Sequence, residues 1–588
     1  MRNLLGIFIC TFLNLGILFT QNLDIPGYEP ILEEAQESEI SSFYVSPQRI
    51  LWKSDKSGQW IKNSDALLKK GKGQADLTNQ DLCSIKNPDG DKSSILIDFG
   101  VEIHGGIQII TGMMAENKPI KVRVRFGESA EEAMSDLGPE SSATNDHAMR
   151  DVVLELPWLG KREIGDTGFR FVRIDLEDEN RELLLKEVRA ELKIRDIPYV
   201  GSFTSSDERL NKIWNTGAYT VHLNMQDYLW DGIKRDRLVW VGDMHPEVST
   251  INAVFGYNPV VPKSLDLMKE LTPLPGWMNG ISTYSMWWLI IHRDWYNQYG
   301  NLEYLNEQRE YVSNLLELFM QKIDDEGKEQ LDGHRFLDWP TSEQPQSIHA
   351  GYQALLIMTL EAGVEICTAL EENELKAQCE QAIKDLRGYT PDHNDSKQAA
   401  SLMVLAGLME PRIGNRDVIS VGGPRDFSTF YGYYMLEAMA EAGNYTEAMD
   451  IIKEYWGGML DLGATTFWED FNIEWLEDGA RIDELVPENK TDTHGDNGNY
   501  CYVGYRHSFC HGWASGPTAW MSRYVLGVKV VEPGGKVLKI EPHLGDLEWV
   551  EGSYPTPLGP VKIRHSKMAD GGLKTEIEAP EGIEVMAE

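Results

Sequence analysis

The densest concentration of ionisable side chains in this sequence lies in residues 231–247. These seventeen residues hold three cations and four carboxylates, namely Asp231, Asp236, Asp243 and Glu247. Because Pro246 is typical of the first turn of a helix, we expect the earlier part to be a loop that leads into a helix. Loops on a rigid scaffold often carry binding groups. A solvated charged connection, in which Glu247 complements the helix dipole, would have the same composition.

A second acidic cluster, Glu469 and Asp470, lies between aromatic residues in the sequence GATTFWEDFN, residues 463–472. Aromatic rings can pack on the apolar face of a sugar and can partly desolvate a neighbouring carboxyl group. The pattern is equally consistent with a surface acidic pair beside two core aromatics. This segment alone therefore does not distinguish the two interpretations.

Two shorter segments combine aromatic and hydrogen-bonding side chains near predicted helix ends. One contains Asp338 and Trp339, and the other, residues 507–517, contains His511. Together with the acidic clusters, they indicate a carbohydrate site. Glycoside hydrolysis needs one acid to protonate the leaving oxygen and a second carboxylate as nucleophile or base, and the two clusters supply both. A serine hydrolase is less well supported, because the sequence has no G-x-S-x-G elbow, and it has no phosphate-binding loop either.

The composition disfavours several other classes of function. The chain has 588 residues with 93 acidic and 55 basic side chains, a formal charge of −38, so nucleic acid is an unfavourable partner. The histidines and cysteines show no HExxH or CxxC spacing, and we expect neither a metal site nor a cofactor. Five cysteines follow the N-terminal leader, too few for a disulfide framework. Cys501 and Cys510 are interpreted as buried thiols, with a bond between them as the alternative.

The N-terminal segment differs from the rest of the chain. An apolar run, residues 4–19, follows Arg2 and is short for a membrane span, so residues 1–21 are predicted to be a secretory signal peptide. A membrane anchor is the alternative, because no good small-x-small cleavage site follows. We expect a periplasmic or secreted protein without stable membrane insertion after removal of the leader. Its oligomeric state stays open.

Hydrophobic periodicity divides the remainder into three domains. Residues 22–200 alternate apolar and polar side chains and are predicted to form an N-terminal β-sandwich domain, in which residues 130–147 are a long surface loop. Residues 201–526 contain roughly ten helical patterns with no strands between them. They predict an all-α domain of antiparallel helical hairpins closed into a ring. Residues 527–588 return to strand patterns and are predicted to form a C-terminal β domain.

The acidic clusters resemble the signature motifs of the bacterial α-L-rhamnosidases of glycoside hydrolase family 78. Residues 231–243, DGIKRDRLVWVGD, have the spacing of the family's Asp-Cys-Pro-x-Arg-Glu-Arg-x-x-Trp-x-Gly-Asp. Residues 463–469 are similar to its Gly-Ala-Thr-Thr-x-Trp-Glu, and His511 falls where the family has an Asn-His-Tyr-Ala turn. Residues 552–559, GSYPTPLG, look like part of its C-terminal β domain. The resemblance covers about residues 201–565.

This resemblance implies an (α/α)6 barrel flanked by β domains, and hydrolysis with inversion of terminal α-L-rhamnosyl residues on an oligosaccharide or polysaccharide. By motif position, Glu469 would be the general base that activates water. Asp236 would be the general acid, with Glu247 as the second candidate. The residues that would bind the sugar are Asp231, Arg235, Trp240, Asp243, Trp288, Asp338, Trp339 and His511.

Departures from the motifs indicate a divergent branch of the family. Asp236 replaces a Glu and is one methylene shorter, and its neighbours Arg235 and Arg237 would favour its carboxylate, whereas an acid catalyst must carry a proton. Gly232 and Ile233 replace Cys-Pro. Two other functions therefore stay open. One is another (α/α)6 carbohydrate-active enzyme, such as an unsaturated-uronyl hydrolase or a lyase, in which the arginines bind a uronate carboxylate. The other is a catalytically inactive carbohydrate-binding protein.

Overall fold

The computed structural model describes residues 38–88 and 90–587. The predicted signal peptide, residues 1–21, lies outside the described residues. Among the helices that are described, none is both long enough and apolar enough to cross a membrane.

Nine strands of the N-terminal region pair into one antiparallel sheet. They are β1 (Ile40–Val45), β2 (Arg49–Lys53), β3 (Ile61–Lys62), β4 (Cys83–Lys86), β5 (Ser94–Thr111), β6 (Ile120–Gly127), β7 (Asp151–Leu156), β8 (Gly160–Leu176) and β9 (Glu182–Arg195). The strand order is β3-β4-β9-β5-β8-β6-β7, with β1 paired to β9 and β2 paired to β5.

The long strands β5 and β8 join two halves of this sheet. The register between them shifts after Asp98, and β5 pairs with β2 before this shift and with β9 after it. Ile97 in the first half and Ile107 in the second half pack in the same apolar core. Both halves therefore contribute to one apolar core, because alternate side chains of a strand lie on the same face of the sheet. The period-two pattern predicts these strands.

The prediction of a surface loop for residues 130–147 is wrong in its first part. Residues Ala130–Met134 form helix α1, and its Glu132 is buried. Arg150 Nη2 lies 2.5 Å from Glu132 Oε1, and Lys234 Nζ lies 3.1 Å from the same oxygen. The carboxylate is buried because these two cations pair with it. Neither partner can be identified from the local sequence.

The middle of the chain is helical. Its α-helices are α2 (Glu208–Asn224), α3 (Val241–Val254), α4 (Val260–Leu271), α5 (Ser282–Tyr299), α6 (Leu302–Glu307), α7 (Arg309–Met320), α8 (Pro345–Ala369), α9 (Asn373–Leu386), α10 (Lys397–Leu405), α11 (Pro411–Gly414), α12 (Gly432–Glu441), α13 (Tyr445–Asp461) and α14 (Gly516–Trp520). Short 3-10 turns between them include Met278–Gly280, Trp339–Thr341, Gly504–Arg506 and Gly512–Ser515. Asp207 is the N-cap of helix α2, because its Oδ1 accepts a hydrogen bond from the Arg209 N–H at 2.9 Å.

The chain enters the helical region from a sheet that belongs to its other end. Strand β10 (Ser202–Ser205) precedes α2 and pairs antiparallel with β13 in the four-stranded sheet β10-β13-β14-β15. The remaining strands are β11 (Val528–Val530), β12 (Val537–Ile540), β13 (Trp549–Tyr554), β14 (Val561–Lys567), β15 (Leu573–Glu578) and β16 (Glu584–Ala587). Strands β11, β12 and β16 form a second, three-stranded sheet. The described chain thus has sheets at both ends and helices in the middle, as predicted.

Candidate active site

A pocket of about 310 Å³ lies among the loops that connect the helices. Eight of the eleven predicted site residues line this pocket: Asp231, Arg235, Asp236, Trp240, Asp243, Trp339, Glu469 and His511. Segments that are more than two hundred residues apart in the sequence therefore meet at one cavity.

The loop formed by residues 231–238 is closed by its own hydrogen bonds. The Asp231 N–H donates to the Leu238 carbonyl at 3.0 Å, and the Leu238 N–H donates to Asp231 Oδ1 at 2.9 Å. Asp236 and Arg237 both have φ near 55°, a left-handed conformation that costs a residue other than glycine roughly 1–3 kcal/mol. The closed loop therefore holds Asp236 in a conformation that a free segment would rarely adopt.

Glu469 is a buried carboxylate of the pocket wall. Its Oε1 accepts a hydrogen bond from Arg235 Nη2 at 3.0 Å, and its Oε2 accepts one from the Ser508 N–H at 3.2 Å. His511 Nδ1 lies 3.7 Å from Oε1. A carboxylate has about four lone-pair sites, so these contacts orient Glu469 and leave sites that a water molecule can occupy.

A chain of polar contacts leads from Glu469 into two helices. His511 Nε2 lies 3.0 Å from Asp243 Oδ2 in α3, and the Tyr284 hydroxyl in α5 donates to Asp243 Oδ1 at 3.1 Å. Burial lowers the pKa of His511, but the carboxylates of Glu469 and Asp243 outweigh it and the pKa lies above its usual value. Burial raises the pKa of Asp243. The raised pKa favours the protonated, positively charged form of His511 beside Glu469.

Asp236 and Glu469 both contact the guanidinium of Arg235. Its Oδ1 is 3.8 Å from Arg235 Nε, while Glu469 Oε1 is 3.0 Å from Nη2 of the same guanidinium. The guanidinium is rigid and planar, so these two contacts limit the separation of the two carboxylate oxygens to about 9 Å. Inverting glycosidases have carboxyl groups roughly 6.5–9.5 Å apart, which leaves room for the attacking water. The limit admits this separation and also the roughly 5–5.5 Å of retaining enzymes.

Aromatic rings form much of the remaining wall. Tyr502 meets the Trp339 ring edge to face at 5.6 Å, and Phe336 lies 5.1 Å from Trp339. Trp240 meets Tyr284 edge to face at 6.0 Å. Such rings bury apolar C–H surface while neighbouring polar groups bind hydroxyls. The pocket can therefore hold a sugar ring.

Trp288 and Glu247 do not line the pocket. The Trp288 indole is fully buried, and its N–H donates to the Leu265 carbonyl at 3.1 Å. Glu247 lies on α3 and is fully buried, and this burial raises its pKa well above the usual range. Of the two candidates for the general acid, Asp236 thus lines the pocket and Glu247 does not.

Asp338 does not line the pocket, but it contacts Trp339, which does. Its Oδ1 accepts a hydrogen bond from the Trp339 N–H at 2.9 Å, and its Oδ2 accepts one from the Ser428 hydroxyl at 2.5 Å. Burial raises the pKa of Asp338 to about 6. The residue therefore caps the turn that carries Trp339.

Three residues near the predicted acid and base carry no signal of their own in the sequence. They are His147, Tyr284 and Tyr502. His147 contacts Asp236 from the N-terminal domain, and Tyr284 contacts Asp243. The Tyr502 ring lies 5.2 Å from the guanidinium of Arg235. His147 falls in the segment predicted to be a surface loop, and Tyr284 in a predicted helix. Long-range packing alone brings them to the site.

Lys234 lies at the centre of a buried charged cluster beneath the loop. Its Nζ is 2.9 Å from Glu128 Oε2 and 3.1 Å from Glu132 Oε1, and it donates to the Tyr505 and His507 carbonyls. Glu128, Glu132 and His494 are the one group of potential metal ligands found within residues 38–88 and 90–587. The Lys234 ammonium contacts both carboxylates and provides positive charge there.

The five cysteines in the described part of the chain are free thiols. Cys501 and Cys510 are not bonded to each other, so the alternative of a disulfide between them is wrong. Cys510 is buried, as predicted, whereas Cys501 is half-buried and lines the pocket.

Two stretches of this chain match family models of known proteins. Residues 198–392 match the model of the bacterial alpha-L-rhamnosidase 6 hairpin glycosidase domain, and residues 527–586 match that of the bacterial alpha-L-rhamnosidase C-terminal domain. The curated alpha-L-rhamnosidase of Alteromonas sp. (strain LOR) is 25% identical over 452 residues, which are 69% of this chain and 46% of that protein.

Solved rhamnosidases share the fold. The GH78 family rhamnosidase of Bacillus sp. GL1 has a TM-score of 0.72 at 22% identity, over 90% of this chain and 55% of its own. The rhamnosidase from Klebsiella oxytoca with rhamnose bound has a TM-score of 0.64 at 20% identity, over 82% of this chain and 96% of its own. The chain thus spans about half the length of the Alteromonas and Bacillus relatives.

These similarities confirm the predicted fold class, a six-hairpin helical domain with sheet domains on either side. Residues 198–392 and 527–586 thus resemble the six-hairpin glycosidase domain and the C-terminal domain of the bacterial α-L-rhamnosidases, and the resemblance to glycoside hydrolase family 78 is confirmed.

Proposed function

We propose that this protein is an inverting exo-glycosidase that hydrolyses terminal α-L-rhamnosyl residues of oligosaccharides or polysaccharides. The observation that carries the proposal is the arrangement around Arg235, whose guanidinium contacts Glu469 and Asp236 in one aromatic-walled pocket. The α-L-rhamnosidase relatives support rhamnose as the sugar, and one of them is described with rhamnose bound.

In the proposed reaction, Asp236 donates a proton to the glycosidic oxygen as the bond from that oxygen to the anomeric carbon breaks. Glu469 accepts a proton from a water molecule that attacks the anomeric carbon from the opposite face. Arg235 orients Glu469, and His511 beside it limits the freedom of the carboxylate. One water is consumed, and the sugar is released with inverted configuration.

The pairing of the arginines favours a neutral sugar over a uronate. Arg235 donates to Glu469, and Arg237 donates to the carbonyls of His147 and Asp166. A uronate carboxylate would have to compete with these acceptors, whereas a deoxyhexose carries no charge to neutralise. The geometry therefore supports a rhamnosidase better than an unsaturated-uronyl hydrolase or a lyase.

Export is part of the proposal and rests on the sequence. The apolar run at residues 4–19 supports a periplasmic or secreted enzyme that meets rhamnose-containing glycans outside the cytoplasm. Edman sequencing or mass spectrometry of the protein from culture medium or periplasm would identify the mature N-terminus. Retention of residues 1–21 in a membrane fraction would contradict this part.

The experiment that tests the activity is hydrolysis of an aryl α-L-rhamnoside, followed by proton NMR of the first-formed anomer. The wild type should release β-L-rhamnose from the α-linked substrate. Glu469→Gln should lower kcat by at least about a hundredfold while its circular dichroism spectrum is unchanged, because general base catalysis contributes about 10²–10⁴. Equal turnover by both proteins would contradict the role of Glu469, and binding of rhamnose without any product would favour a carbohydrate-binding protein.

A further inference from the structure

We propose that His147, contributed by the N-terminal β domain, acts through Asp236 as a positioning residue that returns a proton to this carboxyl after each turnover. The inference rests on the proposed function, in which Asp236 is the general acid. It assigns a role in the reaction to a residue outside the helical domain.

The contacts between the two residues are direct. The Asp236 N–H donates to His147 Nδ1 at 3.2 Å, and the same nitrogen lies 3.4 Å from Asp236 Oδ1. Arg237 Nη2 donates to the His147 carbonyl at 2.6 Å. The turn at residues 236 and 237 thus contacts the imidazole through the backbone and carboxylate of Asp236, and it contacts the His147 carbonyl through Arg237.

Exposure gives the pair a route to solvent. The side chain of His147 is 30% exposed and that of Asp236 is 21% exposed, whereas Arg235 and Glu469 are 9% and 4% exposed. A proton from bulk water can therefore reach the imidazole before it reaches the deeper part of the pocket. Histidine is suited to this step because its ordinary pKa lies near neutral pH.

The imidazole of His147 lies between two carboxylates. Asp236 Oδ1 faces Nδ1, and Asp146 Oδ2 lies 3.7 Å from Nε2. The neighbouring cations contact other groups: Arg237 contacts the His147 carbonyl and Asp166, Arg506 contacts Asp146, and Arg235 contacts Asp236 and Glu469. None of these cation contacts is made to a ring nitrogen of His147.

The proton balance of the step is complete. Asp236 loses its proton to the leaving oxygen and becomes a carboxylate, while Glu469 gains one from the attacking water. A solvent proton then protonates His147, Nδ1–H donates it to Asp236 Oδ1, and Glu469 releases its proton to solvent. The neutral Nδ1 can again accept the Asp236 N–H.

Substrates with different leaving groups test this role. A dinitrophenyl α-L-rhamnoside needs little acid assistance, whereas a methyl α-L-rhamnoside needs it fully. His147→Gln should lower kcat for the methyl glycoside by at least about tenfold and that for the dinitrophenyl glycoside by less than about threefold, because only the first reaction consumes the Asp236 proton that must be returned. His393→Gln, on a loop outside the pocket lining, is the matched control. An equal loss on both substrates, or no loss on either, would overturn the proposal.

A second measurement does not depend on turnover. In a nitrogen-15 NMR spectrum of the histidine side chains, Asp236→Asn should change the chemical shift of His147 Nδ1, because the carboxylate oxygen lies 3.4 Å from this nitrogen. An unchanged Nδ1 shift would overturn the pairing. A wild type that hydrolyses neither rhamnoside would refute the proposed function, and the spectrum would then still decide whether His147 and Asp236 are in contact.

Discussion

Replacement of Lys234 by Met should uncouple the N-terminal domain from the loop that carries Asp236. The Lys234 ammonium joins Glu128 and Glu132 of the N-terminal domain to the carbonyls of Tyr505 and His507. Lys234→Met preserves most of the aliphatic side chain and removes the charge. The variant therefore isolates the electrostatic contribution of these Lys234 contacts to stability.

The expected loss of stability depends on which partners Glu128 and Glu132 retain in the Lys234→Met variant. Glu132 retains Arg150 as a partner, whereas Glu128 retains the Phe509 N–H at 2.6 Å and loses the ammonium at 2.9 Å. Two unit charges at this separation attract by about 6 kcal/mol at an effective dielectric constant of 20. Part of this is offset because the ammonium no longer needs to be desolvated. We expect a net loss of about 3–5 kcal/mol in the free energy of unfolding, as for other buried pairs that lose one partner.

The loss should depend on pH. Burial raises the pKa of Glu128, and Lys234 opposes this effect, so the variant has a Glu128 pKa still higher than that of the wild type. A carboxyl whose pKa rises on folding contributes stability below its unfolded pKa and loses it as the pH rises through the folded value. The destabilisation should therefore be larger at pH 8 than at pH 5.

Urea unfolding followed by tryptophan fluorescence at the two pH values measures both quantities. Lys562→Met is the matched control, because Lys562 pairs with Glu578 at 3.3 Å with both side chains more than half exposed. It should change the midpoint little at either pH. A loss below about 1 kcal/mol for Lys234→Met at pH 8, or an equal loss at both pH values, would refute the reasoning.

Three further predictions concern the pocket and its support. The pKa of Asp338 is raised from 3.8 to about 6, so its contribution to stability is present below pH 4 and is lost as the pH rises through about 6. Asp338→Asn should remove this pH dependence and so change the free energy of unfolding by up to about 3 kcal/mol across that range. A pH profile of stability identical to that of the wild type would contradict this prediction. A Cβ at Gly512 would lie 1.6 Å from the buried Glu247 Oε1, so Gly512→Ala should lower the free energy of unfolding by about 1–3 kcal/mol in the same urea assay, and wild-type stability would show that the helix can yield there. Trp339→Ala should raise KM for an aryl rhamnoside more than it lowers kcat, since it removes a wall of the pocket rather than a reacting group, and a pure kcat effect would argue against this.

Local sequence accounts for most of the helical domain. The helix α2 follows an Asp207 cap and an apolar stripe, and both features depend only on residues within a few turns of one another. The alternation in β5 and β8 predicts strands for the same reason. It does not predict that β10 pairs with β13, because the partners are separated by more than three hundred residues.

The sequence also named the candidates for the reacting side chains. The motifs around Asp236 and Glu469 name a candidate acid and a candidate base by type and spacing, and the structure brings both into one pocket. Among the aromatic residues, the motif reasoning correctly selected Trp339 for the pocket wall but also selected Trp288, which lies in the core. A tryptophan in a helix has the same local signal in either place.

Only the tertiary structure determines which residues contact these groups and which charges surround them. Glu132 and His147 lie in a segment that looks like a polar surface loop, yet one is buried against Lys234 and the other contacts Asp236. The physical reason is that the cost of burying a charge depends on partners brought close by the fold, not on neighbours along the chain. Composition and spacing therefore determine the candidate reacting groups of this protein, and long-range pairing of buried charges determines the environment in which they act.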